Sequence, residues 1–143
     1  MKTLACRRLV AMAVGCLAVG VTAHAQAGDK DECSNATLHG AYVLSATNYI
    51  GPLVVLNKLT LDGKGTFKGS ANVSVDGTII TDLPNTGTYS IASDCTGTLT
   101  VDYPDFTAHF SLVLLDRGRG AELVEIDGGT VAAGTLKPTP EVQ

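Results

Sequence analysis

From Gly40 to Lys137 the chain alternates apolar and polar residues in short runs, most of them ending at a turn built on Gly, Asp, Asn or Pro. The clearest run is Lys58-Leu59-Thr60-Leu61-Asp62-Gly63-Lys64-Gly65-Thr66-Phe67-Lys68-Gly69. A two-residue period places alternate side chains on opposite faces of a strand. An Asp-Gly pair between two such runs is a strong short-range signal for a hairpin. Asp76-Gly77 repeats it. The pattern predicts strands at 38–48, 53–61, 66–75, 78–82, 87–92, 98–103, 106–116, 121–127 and 130–136, with Leu83-Pro84-Asn85-Thr86 as a loop. No segment after residue 25 shows a helical period.

Closely spaced turns between neighbouring strands suit a meander. Eight or nine strands then form an all-β fold: a small antiparallel up-and-down barrel, or alternatively a β-sandwich. Closure favours the barrel, because it removes exposed strand edges. An eight-stranded barrel is filled by its own side chains or holds one small ligand.

The first residues follow a different rule. Lys2, Arg7 and Arg8 precede an uncharged apolar stretch from Leu9 to Val21, and Ala23-His24-Ala25 supplies a small-x-small cleavage pattern. This reads as a secretory signal peptide over 1–25, with an apolar part too short for a good membrane span. Ala13-Val14-Gly15-Cys16 loosely matches a lipoprotein signal, but the apolar run continues past Cys16. The expected organisation is signal peptide 1–25, flexible leader 26–32, one β-barrel domain 33–137 and a tail 138–143.

Export changes the charge and the cysteine count. The remaining 118 residues carry seven basic and fourteen acidic side chains, a net charge of −7. That balance disfavours nucleic acid and anionic membrane, both polyanions. Cys33 and Cys95 are the two cysteines left, and a lone pair in an exported chain reads as a disulfide. The expected location is periplasmic or extracellular, without a stable membrane anchor.

The segment Cys33-Ser34-Asn35-Ala36-Thr37-Leu38-His39-Gly40-Ala41-Tyr42 resembles the opening of a set of small exported bacterial β-proteins that begin C-S-N-x-T-L-x-G-x-Y. The hairpin at 59–65 and the segment 87–98, with Asp94-Cys95-Thr96-Gly97, fit the same pattern. The resemblance implies a barrel similar to the calycin and allene oxide cyclase type, with a cavity for an apolar ligand or a cyclised substrate. It carries no catalytic residues onto this sequence.

Candidate site residues come from the alternation. His109 falls on the strand face of Thr107, Ser111, Val113 and Leu115, where it would line a cavity and act as a base or a hydrogen-bonding group. Asn57 alternates with Val55, Leu59 and Leu61, so it points inward and needs a partner. Tyr42, Tyr89 and Tyr103 are candidate cavity walls. Glu122 and Glu125 lie on opposite faces, and Glu125 shares its face with Leu123. His39 reads as a rim residue.

No metal or cofactor is expected. The aspartates of Asp62-Gly63-Lys64-Gly65 and Asp127-Gly128-Gly129 are explained by turn chemistry and lack calcium-loop spacing. Two isolated cysteines do not make a zinc site. These readings favour a binding module for an apolar or amphipathic small molecule. A structural or surface-interaction protein is second, and a cyclase- or isomerase-like enzyme third. Oligomeric state is not legible.

Overall fold

The computed structural model describes residues 32–140. The expected signal peptide, the expected leader up to residue 31 and residues 141–143 of the expected tail lie outside the described residues. Within them, eight antiparallel strands close into an up-and-down barrel. They are β1 (His39–Asn48), β2 (Leu53–Asp62), β3 (Thr66–Val75), β4 (Thr78–Ile91), β5 (Thr96–Asp102), β6 (Thr107–Leu115), β7 (Gly120–Glu125) and β8 (Ala132–Pro138). Each pairs with its sequence neighbours, and β8 pairs back onto β1 from Asn48↔Ala132 to Tyr42↔Pro138.

The strand count is eight because the fourth and fifth expected strands are one. Residues 83–86 were expected to loop on account of Pro84 and Asn85. They are extended instead and pair with β3, Ser70 lying opposite Pro84. Tyr89 donates its N–H to Gly65 on the β3 side. By the two-residue period the nitrogen of Pro84 points the other way. There β4 has no partner, since pairing with β5 begins at Thr86↔Asp102. A proline on that free edge forfeits no ladder bond. The turn character is discharged in a register shift between Ala71 and Val73, opposite Asp82 in left-handed conformation (φ 54°).

Inward positions are almost all apolar: Leu44, Leu59, Leu61, Leu99, Leu112 and Leu136 are fully buried. Lysines, Glu122 and most threonines point outward. The interior is thus apolar, unlike the polar lumen of a membrane-spanning barrel. No helix among the described residues is long and apolar enough to cross a membrane.

One end of the barrel is sealed. Cys33 is bonded to Cys95 in the β4–β5 turn, and the short 3-10 turn Asn35–Thr37 drops Leu38, fully buried, onto the core. Asn35 accepts the N–H of Ile91 (2.8 Å). Tyr89 donates its hydroxyl to the Leu38 carbonyl (2.8 Å), and Tyr42 donates to the Gly118 carbonyl (2.9 Å). Gly118, in left-handed conformation (φ 85°), lies so close to Thr37 that a Cβ would collide with its carbonyl oxygen. The segment that carries the resemblance is therefore the seal of the barrel.

The disulfide joins residues 62 apart in sequence. A loop of that size constrains the unfolded chain by about 4 kcal/mol in the chain-entropy model. Replacing both cysteines by serine should lower unfolding free energy by about 2–4 kcal/mol, seen as an earlier denaturant midpoint that reductant does not shift further. An unchanged midpoint would remove the staple from the account.

Asp62 holds the β2–β3 turn. Its carboxylate accepts the N–H and hydroxyl of Thr66 (2.9 and 2.7 Å) and the N–H groups of Lys64 and Gly65 (2.8 and 3.0 Å). The Thr66 bonds above all, then that of Lys64, hold its carboxyl well below the usual carboxylate range. The folded state prefers the ionised form. Its contribution is complete above the ordinary value near 3.8 and is lost as pH falls below that toward the depressed one. Asp62→Asn should therefore be less stable than the parent at about pH 7, with the gap narrowing at about pH 2.5 in urea titrations.

Candidate functional site

The turns divide between the two ends. Those joining β2–β3, β4–β5 and β6–β7 lie at the sealed end. Those joining β1–β2, β3–β4, β5–β6 and β7–β8 surround an open mouth. Exposed large apolar side chains gather at this mouth. Tyr49 and Ile50 come from the β1–β2 turn, Ile79 and Ile80 from the β3–β4 hairpin, Phe106 from the β5–β6 turn, and Ile126 and Val131 from the β7–β8 turn. The sealed end shows only Leu115 in that class among the described residues. Water-exposed apolar groups clustered in this way mark interaction sites.

The mouth leads to a cavity of about 40 Å3 whose walls include Leu44, Val55, Ala108, Phe110, Tyr103 and Glu125. That is room for about three water-sized groups, far below the ~300 Å3 of an ordinary small-molecule pocket. The cavity at this mouth is smaller than the ligand-sized one implied by the calycin resemblance, with leucine and aromatic side chains buried in the interior beneath it.

Two groups give the mouth its chemistry. The ring of Tyr103 stacks on Phe106, with centroids 4.5 Å apart and planes 23° from parallel. These two aromatics bracket the Pro104-Asp105 turn, so a four-residue turn presents a preformed aromatic wall. Glu125 is half-buried, opposite Phe110 in register. Burial pushes its carboxyl above the ordinary range, and the charge of Asp127 adds to the shift. Burial likewise raises the Tyr103 hydroxyl, against the nearby Asn57 amide.

Below the mouth sits a buried polar pair. Asn57 and Asn85 exchange two amide bonds, each 3.1 Å, and are almost wholly buried. Asn57 Nδ2 also reaches the Tyr103 hydroxyl at 3.5 Å, and Asn85 donates to the Leu83 carbonyl at 3.2 Å. The pair fits because residue 69 is glycine: a Cβ there would come within 2.7 Å of Asn85 Oδ1. Asn57 points inward as the alternation requires, but its amide is occupied and positions Tyr103 from below.

The other candidates are dispersed. His109 was expected on a cavity wall and instead lies on the outer surface, since Val113 and Leu115 on the same face are themselves solvent-exposed. Its Nδ1 is 2.7 Å from Asp127 Oδ1, and its backbone N–H donates to Asp127 Oδ2 at 2.7 Å. The two bonds, the backbone one foremost, lower the Asp127 carboxyl and clip the β7–β8 turn to β6. Tyr42 and Tyr89 point inward but at the sealed end, where their hydroxyls hold the seal, so they wall no cavity at the mouth. Tyr103 is the tyrosine of the three that lines the mouth. Of the three groups the enzyme reading drew on, Glu125 lines the cavity at the mouth, Asn57 is buried below it and His109 lies on the outer surface. Among the described residues no cluster of three or more metal-ligating groups occurs.

Sequence reasoning missed Phe106 as the partner of Tyr103, Asn85 as the partner of Asn57, and Asp127 as the partner of His109. The aromatic pair flanking Pro104-Asp105 was the available signal for the first. Comparison with protein families, with curated proteins and with solved structures finds no match for this chain. Function is therefore read from the side chains themselves.

The amide pair makes a definite prediction. Asn57→Leu leaves the Asn85 amide buried without its partner and should cost about 1–3 kcal/mol beyond any packing change. Pairing it with Asn85→Leu should recover part of that loss. A double-mutant cycle by chemical denaturation measures the coupling; strictly additive losses would mean that the pair contributes nothing as a pair.

Proposed function

We propose that the protein is an exported binding module that takes an apolar or amphipathic small molecule at the open mouth of its barrel. The observation that carries this reading is the asymmetry of the two ends. One is stapled, hydrogen-bonded and closed. The other exposes an apolar rim around a short cavity walled by Tyr103, Phe106 and Glu125. A disulfide is compatible with an oxidising location outside the cytoplasm. The filled interior supports a ligand that seats its tip in the mouth and spreads its apolar part over the rim.

A second reading has an observation of its own. Val54, Leu56, Val113 and Val124 are exposed on the outer wall, on β2, β6 and β7. They favour a surface-interaction protein that meets its partner side-on.

Amide chemical-shift mapping during titration with a neutral alkyl glucoside separates the two. Shifts at Ala108, Phe110, Glu125 and Ala132 are expected, and Phe106→Ser should weaken binding roughly fivefold, the worth of about 1 kcal/mol of apolar contact. Shifts confined to Val54, Val113 and Val124 would overturn the mouth in favour of the wall.

A further inference from the structure

We infer that the mouth selects a cation: a small amphipathic molecule whose ammonium group enters beside Glu125 and the Tyr103–Phe106 rings while its apolar part lies on the rim. This rests on the binding reading above and names the charge class of the ligand.

The cavity wall supports it first. Apart from Tyr103, the ionisable group in the wall is Glu125, set among aliphatic and aromatic side chains. No ion pair among the described residues reaches this carboxylate. An ionised carboxylate held there has lost part of its water, and a bound cation restores the interaction that water supplied. Beside it stand two stacked aromatic rings lining the same space. The negative faces of such rings attract ammonium groups, alkylated ones included. A volume that holds about three water-sized groups admits the tip of a small ammonium head and not a bulky ring system.

The distribution of charge along the barrel axis is a separate observation. At the open end the described ionisable side chains are acidic: Asp76, Asp82, Asp102, Asp105, Glu125 and Asp127, with the imidazole of His109 held against the last. The described lysines and arginines lie elsewhere. Lys64, Lys68, Arg117, Arg119 and Lys137 belong to the sealed half, and Lys58 is midway along β2. The field at the mouth thus draws cations toward the cavity and repels anionic amphiphiles.

The groups around Glu125 set the pH behaviour. They are Asp127 from the β7–β8 turn, His109 from β6 on the far side of Asp127, and Tyr103 from the end of β5. Burial and Asp127 raise the Glu125 carboxyl, so it ionises later than an ordinary glutamate as pH rises. Cation binding should strengthen as pH rises through that value and weaken below it.

Isothermal titration with three ten-carbon probes below their micelle concentrations tests the inference: decyltrimethylammonium, decyl glucoside and decyl sulfate. At about pH 7.5 the ammonium should bind at least roughly tenfold more tightly than the glucoside, the scale of one partly desolvated charge-assisted contact. The sulfate should bind most weakly, and the ammonium advantage should shrink at about pH 4.5. Glu125→Gln should abolish most of that advantage, read as the ratio of ammonium to glucoside affinity measured on the same variant. Equal binding of ammonium and glucoside to the intact protein overturns cation selection while leaving the binding module standing. Binding of none of the three overturns both. A full ammonium advantage persisting in Glu125→Gln overturns the assignment to Glu125. The comparison of probes on the unmodified protein decides selection even if the variant does not fold.

Discussion

Everything in this molecule depends on the narrowness of a sheet closed on eight strands. A barrel of this size has an interior that side chains can fill. Leu44, Leu59, Leu61, Leu99, Leu112 and Leu136 fill it, and their burial supplies the cohesion of the fold. The interior of the barrel is then committed to stability, and the two ends differ in how they are finished. At one, the six residues from Cys33 to Leu38 close the opening. At the other, four turns leave it open.

The same narrowness explains how the buried amides are used. Asn57 and Asn85 face each other across the interior with both bonds satisfied, which makes their burial tolerable. Because Asn57 also reaches the Tyr103 hydroxyl, the polar pair ties the packed interior to the aromatic wall of the mouth.

The period of two was legible in the sequence, and most of the fold followed from it. The hairpin at Asp62, the Cys33–Cys95 pairing and the inward direction of Asn57 could be read directly. Other features depend on distance across the fold rather than order along it. Pro84 and Asn85 read as a loop because nothing local reveals that β4 outruns β5 and leaves an edge where a proline is harmless. The face of His109 was ambiguous because Val113 and Leu115 make the outer wall look like a second core. Alternation showed that Tyr42 and Tyr89 point inward but not which end they serve, which is decided by which turns cluster together. Cavity size is the least legible of all, being what remains after every interior side chain has been placed.

The sealed end has one more consequence. Cys33 enters the fold there, and β8 runs from the mouth back to the same end, where Thr139 donates its N–H to the Ala41 carbonyl. Both terminal connections of the barrel therefore leave from its base. A tether or solid support joined near residue 32 or residue 140 would grip the barrel at its base, at the end opposite the rim.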